Sequence, residues 1–266
     1  MAIKTNNIGK LEYLTAEGIG TAHCFTTRLG GVSTGNLDSL NISYHRGDAP
    51  ENVDRNYEIL AQTLNFSVKD VVLSHQIHSD IVRKVTKQDH LGLDHHLYPE
   101  CDALITNDPG TALAIFTADC TPILLWDPQT GAVGAIHAGW RGTAQNIAGK
   151  TVDAMVAEFG CRAENIRAAI GPNIGACCFE AGEEVPQAMI VTFGQESRDF
   201  IRSVGEKFYL DLKRINALAL QKAGVKEIEI SMDCTMCQPD RFWSHRVHGP
   251  GRGSQGAIIV CGEGML

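Results

Sequence analysis

CDALITNDPGTALAIFTADCTPILLWDPQTGAVGAIHAGWRGT, residues 101–143, holds a succession of short apolar runs: Ala103–Ile105, Ala112–Thr117, Pro122–Trp126 and Ala132–Ile136. Runs of this length, closed off by Gly, Pro, Asn and Asp, read as buried strands. The intervals between them are too short for a helix, so these strands follow one another directly. Working outward, Val71–Leu73 and Ile81–Val85 precede them, and Ile166–Ile170, Glu227–Ser231 and Ala257–Val260 follow. Helical spacing marks 50–64, where Pro50 suits the first turn and Val53, Tyr57, Leu60 and Leu64 share a face. Helices are also predicted over Thr143–Phe159, with Ile147, Val152, Met155, Val156 and Phe159 on one side, and over Tyr209–Ala223. Strands that outnumber helices and adjoin in sequence predict an α+β fold: a large mixed β-sheet flanked by helices. With no linker, repeat or low-complexity tract, residues 1–266 are expected to form a single domain. No GxGxxG follows a predicted strand, and GxxxxGK[ST] is absent, which removes the Rossmann and P-loop readings.

Bulk properties exclude several classes. The net charge of −8, with no basic stripe, argues against a nucleic-acid binder. The opening MAIKTNNIGKLEYL has no apolar core of a signal peptide, and no run approaches the ~18 apolar residues of a membrane helix. Nine cysteines in such a chain are expected as reduced thiols in a soluble, cytoplasmic protein. The sequence carries no indication of oligomeric state.

Chemistry concentrates at His78 in SHQIHSD (74–80), Cys120 in FTADCTPILLWD (116–127) and His137 in GAIHAGWRGT (134–143). Two histidines and a thiol make a catalytic zinc set whose fourth position stays open. The same trio also reads as a cysteine nucleophile with its base and an orienting group. The bland reading is a buried thiol and a capped β–α corner. On a strand, His75 and His78 point to opposite faces, and Gln76 shares the face of His78; His75 or Gln76 is expected to position a bound species. In HAGWRGT, Gly139 is expected to open a tight turn before a helix starting near Thr143, with Arg141 just ahead of it. A helix N-terminus with an adjacent guanidinium suits an anion.

A rival metal set is Cys234, Cys237, His245 and His248, although the seven-residue gap between its CxxC and HxxH halves is shorter than in zinc fingers. The vicinal Cys177–Cys178 pair reads as loop packing. No histidine begins an HxE, so the zinc deaminase signature is missing. The HxH and HCH sets of a multicopper oxidase, which needs about ten copper ligands, are missing too.

FTTRLGGVS (25–33), NISYHRGD (41–48), QIH (76–78), CDALITNDPG (101–110), TADCTPILLWD, HAGWRGT, IGPNIGACCFEAGEEV (170–185) and CTMCQPDRFWSHR (234–246) occur in this order. Together they resemble the laccase-domain proteins, once named multicopper polyphenol oxidoreductases and associated with purine nucleoside phosphorylase activity. The resemblance runs from about residue 20 to near the end of the chain. It implies one zinc held by His78, Cys120 and His137, with copper the alternative under the older name. It implies phosphorolysis of adenosine, inosine, guanosine and methylthioadenosine, with associated adenosine deaminase activity. It also implies a topology like that of toxin-type cysteine hydrolases, which keeps a metal-free Cys120–His137 hydrolase open beside a copper-dependent polyphenol oxidoreductase. Arg28, Arg46 and Arg141 are then expected to hold phosphate, helped by backbone N–H groups around Gly30–Gly31 and Gly142. The chain departs from the family pattern at Val247, His248 and GPGRGSQG (249–256), where C-terminal substrate contacts are expected to differ.

Overall fold

Of the four strands in 101–143, the second, Ala112–Thr117, joins one sheet and the other three join another. The computed structural model, which describes residues 2–93 and 98–262, has two six-stranded mixed sheets and a small three-stranded one. The first runs, in spatial order, Ile3–Ile8, Leu11–Ala16, His23–Thr26, Gln255–Val260, Ala112–Thr117 and Val71–Val72. The second runs Glu227–Ile230, Arg167–Ile170, Thr121–Trp126, Val133–Ala138, Ala103–Thr106 and Val82–Lys84. The α+β class and its flanking helices are as expected, but the one large sheet is two. A strand's hydrophobic pattern reports that it is buried on both faces, not which neighbour it pairs with.

Period-2 alternation builds the layers. Leu113 and Ile115 point from the first sheet into the space between the sheets, where they meet Leu104, Leu124, Val133 and Ala135 from the second. Ala112 and Ala114 face the other way, onto Val53, Tyr57, Leu60 and Leu64 of the helix Pro50–Leu64. On the outer face of the second sheet, Ile105, Ile123, Leu125 and Ile136 pack against the helices Ile147–Phe159, Glu184–Phe193 and Leu212–Lys222. Four layers result, and each fully buried Leu or Ile contributes roughly 1.5–3 kcal/mol.

Local chemistry accounts for the differences from the predicted elements. The helix expected over Thr143–Phe159 is two helices, Trp140–Ala144 and Ile147–Phe159, because Asn146 turns left-handed at φ 61. Asparagine tolerates that conformation better than most residues. The helix expected from Tyr209 begins at Leu212 instead. Tyr209 belongs to the strand Lys207–Leu210, and the Asp211 side chain caps the helix by accepting from the Arg214 amide at 3.0 Å. The hairpin Ile3–Ile8 and Leu11–Ala16 went unpredicted because Ile3–Ile8 is an edge strand with little buried.

Candidate active site

The chain leaves the first sheet at Thr117 and enters the second at Thr121, and Cys120 closes the three-residue crossing between them. His137 lies opposite Pro122 on the neighbouring strand Val133–Ala138, so strand pairing sets the histidine beside the thiol. His78 arrives from outside any strand, which corrects the two-face reading of SHQIHSD: its backbone is left-handed at φ 61. Asp119, at φ 81, is another non-glycine residue with positive φ. Such conformations persist only where surrounding contacts over-determine them. Asp119 is gripped by the Thr235 hydroxyl at 2.6 Å, the Ser244 hydroxyl at 3.1 Å and the Arg246 amide at 2.8 Å.

The His78 loop is gripped by Asp102, a fully buried carboxylate that sequence reading did not single out. Asp102 accepts from the backbone amides of Ile77 at 3.2 Å, His78 at 3.1 Å and Ser79 at 2.7 Å, and from the Ser79 hydroxyl at 2.6 Å. Its Oδ1 also lies 2.8 Å from Nδ1 of His137. Burial acts to raise the Asp102 pKa, but the hydrogen bonds from His137 and Ser79 outweigh it and bring it to about 2. The carboxylate is therefore ionised and accepts the Nδ1–H of His137, which leaves the other ring nitrogen for the cluster. The available signal was an acid one residue before a strand and thirty-five residues from the histidine it orients.

The ligand atoms of His78, Cys120 and His137 lie within 4.8 Å of one another, with His78 Nε2 3.9 Å from the Cys120 sulfur. Burial pushes the Cys120 thiol up, yet the neighbouring His137 and His78 rings prevail and lower it to about 6. Burial would lower His137, but the Cys120 sulfur and the Asp102 carboxylate raise it to about 9. A thiolate beside a protonated imidazole is the charge pattern in which a cation can take the proton's place. Gly139 makes room for the cluster: a Cβ there would stand 2.8 Å from His78 Cδ2 and 3.3 Å from the Cys120 sulfur. Two imidazoles and a thiolate, with a carboxylate behind one imidazole, fit zinc with a position to spare.

Two cavities meet at this cluster. One, of about 260 Å³, is polar and includes Ser43, His45, Arg46, His75, Arg252 and Ser254 in its lining. The other, of about 300 Å³, is walled by Trp140, Ile174, Phe179 and Leu212, with His245 and Arg246 at its polar side. His78, Cys120 and Arg252 border both. Arg252 comes from the divergent segment and was not among the expected contacts. It is buried, its Nε has no hydrogen-bond partner, and burial together with Arg46 lowers its pKa to about 10.

The remaining expected residues fall in different places. Arg46 lines the polar cavity, where its Nε lies 3.4 Å from the Ser254 hydroxyl. Arg28 is engaged elsewhere: it donates to the carbonyls of Asp38 at 2.8 Å and Pro239 at 3.0 Å and lies over Trp243, 3.9 Å from the ring centroid. Arg141 is inside the helix Trp140–Ala144 rather than ahead of it, exposed, and stacked on Trp140. Gln76 borders the polar cavity, but both ends of its amide bind the Phe116 backbone, at 2.8 Å and 2.7 Å. The amides of Gly30 and Gly31 are likewise taken, by the Ser39 hydroxyl. Cys234 and Cys237 do not meet His245 and His248. His248 faces Ser244 and Arg28, and the two cysteines face Cys177 and Cys178.

Fold and site together define an α+β protein with a two-histidine, one-cysteine centre where the chain crosses between sheets. The chain belongs to the family described as multi-copper polyphenol oxidoreductase laccase, whose model matches residues 22–262. It is 37% identical over 235 residues to a purine nucleoside phosphorylase of Bacteroides thetaiotaomicron, covering 85% of this chain and 86% of that one. It is 37% identical over 253 residues to one of Deinococcus radiodurans, covering 94% and 92%. The crystal structure of YlmD from Geobacillus stearothermophilus is similar at a TM-score of 0.91 and 35% identity, covering 97% of this chain and 99% of that one.

Proposed function

We propose that this chain is a zinc-dependent purine nucleoside phosphorylase, acting on adenosine, inosine, guanosine and methylthioadenosine, with associated adenosine deaminase activity. The observation that carries the reading is the cluster of His78, Cys120 and His137 between an arginine-bearing polar cavity and an aromatic-walled apolar one. Relatives over most of the chain bear the phosphorylase name. Residues 1–266 act as one catalytic unit, although the described residues stop short of both ends.

Phosphate belongs in the polar cavity, where Arg46 and Arg252 form no ion pair with a carboxylate among the described residues. A guanidinium pair with hydroxyls from Ser43 and Ser254 supplies charge and donors to its oxygens. The purine lies against Trp140, Ile174 and Phe179, with Arg246 within reach of its polar edge. The glycosidic bond then spans the cluster, and the fixed pockets supply the proximity the displacement needs. Zinc, when held by His78, Cys120 and His137, supplies Lewis acidity and lowers the pKa of a water toward about 7. Asp102 keeps His137 in the tautomer that can hold it. Deamination is a separate hydrolysis: water adds at C6 of adenosine and ammonia leaves, the glycosidic bond stays intact, and C6 rather than the ribose anomeric carbon faces the cluster.

Zinc is preferred over the copper of the family description on ligand grounds. A multicopper oxidase needs several histidine-rich sets, and among the described residues the second metal-type cluster is all cysteine. One geometric observation favours a second reading: Cys120, His137 and Asp102 stand in the order of nucleophile, base and orienting acid. That is the metal-free cysteine hydrolase. We assign the protein to the cytoplasm, since all nine cysteines are free thiols. No helix among the described residues is long and apolar enough to cross a membrane.

The deciding experiment purifies the protein without added metal, measures zinc and copper, and supplies adenosine with phosphate. Bound zinc with release of adenine or hypoxanthine is the expected result. Absence of metal and of purine release, with activity blocked by alkylation, moves the assignment to the hydrolase.

A further inference from the structure

Arg167–Ile170 and Glu227–Ile230 are parallel neighbours, so the loops that follow them leave the sheet at the same end. A bridge between Asn173 and Cys234 carries the pairing on into the loops. One loop brings Cys177 and Cys178, the other Cys234 and Cys237. All four sulfurs lie within 4.8 Å of one another, and Cys237 is 3.5 Å from Cys177 and 3.4 Å from Cys178. A tetrahedral tetrathiolate zinc centre, with Zn–S bonds of about 2.3 Å, sets its sulfurs about 3.8 Å apart.

We infer that Cys177, Cys178, Cys234 and Cys237 form a second, closed zinc site, separate from the His78–Cys120–His137 centre. Convergence of four thiols is more than a disulfide requires, since a disulfide uses two. The surroundings also suit thiolates. The Gly175 amide donates to the Cys234 sulfur at 3.1 Å, an N–H···S bond of the kind that supports metal-bound sulfur. Gly175 lies tight against the cluster: a Cβ would stand 3.2 Å from the Cys177 sulfur and 3.2 Å from Cys234 Cβ, and the neighbours would have to shift to take it. The buried Lys213 ammonium holds the Ser231 and Asp233 carbonyls at 2.8 Å and 2.7 Å, fixing the approach to Cys234 and setting a positive charge near the cluster. Cys177 and Cys237 are exposed, so the ion loads from solvent and displaces the thiol protons as it binds.

The site staples two loops that also hold the crossing between the sheets. From one, the Ile174 amide donates to the Asp119 carbonyl at 3.0 Å and the Asn173 side chain donates to the Thr121 hydroxyl at 2.7 Å. From the other, the Thr235 hydroxyl donates to the Asp119 carboxylate at 2.6 Å. Zinc here is structural, and it stiffens the segment that presents Cys120.

The test uses the full chain, reduced, loaded with zinc(II) and desalted. Wild type should retain about two zinc ions per chain, Cys120→Ala about one, and the Cys234→Ser/Cys237→Ser double variant about one. In Cys120→Ala, chelation should lower the melting temperature and expose the four thiols to alkylation, and cobalt(II) should give the intense thiolate charge-transfer bands of a sulfur-rich site. The Cys120→Ala measurements decide the matter even where the double variant fails to fold. Cys120→Ala protein that binds neither zinc nor cobalt, with its four thiols freely alkylated or joined as disulfides, would overturn the inference.

Discussion

Oδ1 of Asp102 lies 2.8 Å from Nδ1 of His137 and, through the same carboxylate, the backbone of residues 77–79 is held in place. One buried acid thus sets the tautomer of one histidine and the position of the other. Asp102→Asn keeps the shape but gives up the charge that fixes Nδ1–H. Zinc affinity should fall 10–100-fold, read by competition with a chromophoric chelator, and kcat/KM should fall with it. Wild-type affinity in this variant would show that the carboxylate only braces the loop.

Gly139→Ala tests the close approach at the cluster. The new methyl would meet the His78 ring at 2.8 Å and the Cys120 sulfur at 3.3 Å, so one of them must move. Zinc retention and turnover should drop together, at a stability cost of about 1–3 kcal/mol in urea unfolding. Full zinc occupancy with unchanged kinetics would contradict the geometry.

The two cavities should separate kinetically. Arg46→Gln or Arg252→Gln should raise KM for phosphate by roughly tenfold or more and leave KM for the nucleoside near its starting value. Phe179→Ala should do the reverse. Arg28→Gln and Arg141→Gln should leave both KM values largely unchanged, because neither side chain lines either of these two cavities. Equal changes in both constants from every variant would mean that the cavities are not distinct subsites.

Acid stability should depend on Asp48. Burial acts to raise its pKa, but hydrogen bonds from Asn41, Ser33, Asn52 and the Ala49 amide prevail and lower it. A carboxylate with a depressed folded pKa contributes stability above its unfolded value and loses that contribution as pH falls through the folded one. Asp48→Asn should therefore flatten the acid limb of the melting temperature between about pH 4 and the lower folded pKa. An unaltered limb would show that those hydrogen bonds have no net effect on folding.

Much of this was legible in the chain itself. The apolar runs of 101–143, bounded by Gly, Pro, Asn and Asp, determined their own strands, because local burial pattern and turn chemistry are properties of neighbouring residues. The donor types at His78, Cys120 and His137 likewise indicate metal or nucleophile chemistry by themselves. Tertiary structure alone decided which sheet each strand joined, and therefore that Cys120 stands at the crossing. Asp102 behind His137, Arg252 rather than Arg28 beside Arg46, and Cys177–Cys178 rather than His245 and His248 beside Cys234 were decided there too. Each of these pairs residues far apart in sequence through strand neighbours or loops that share a sheet edge, and a period read along one segment carries no information about the segment that packs against it.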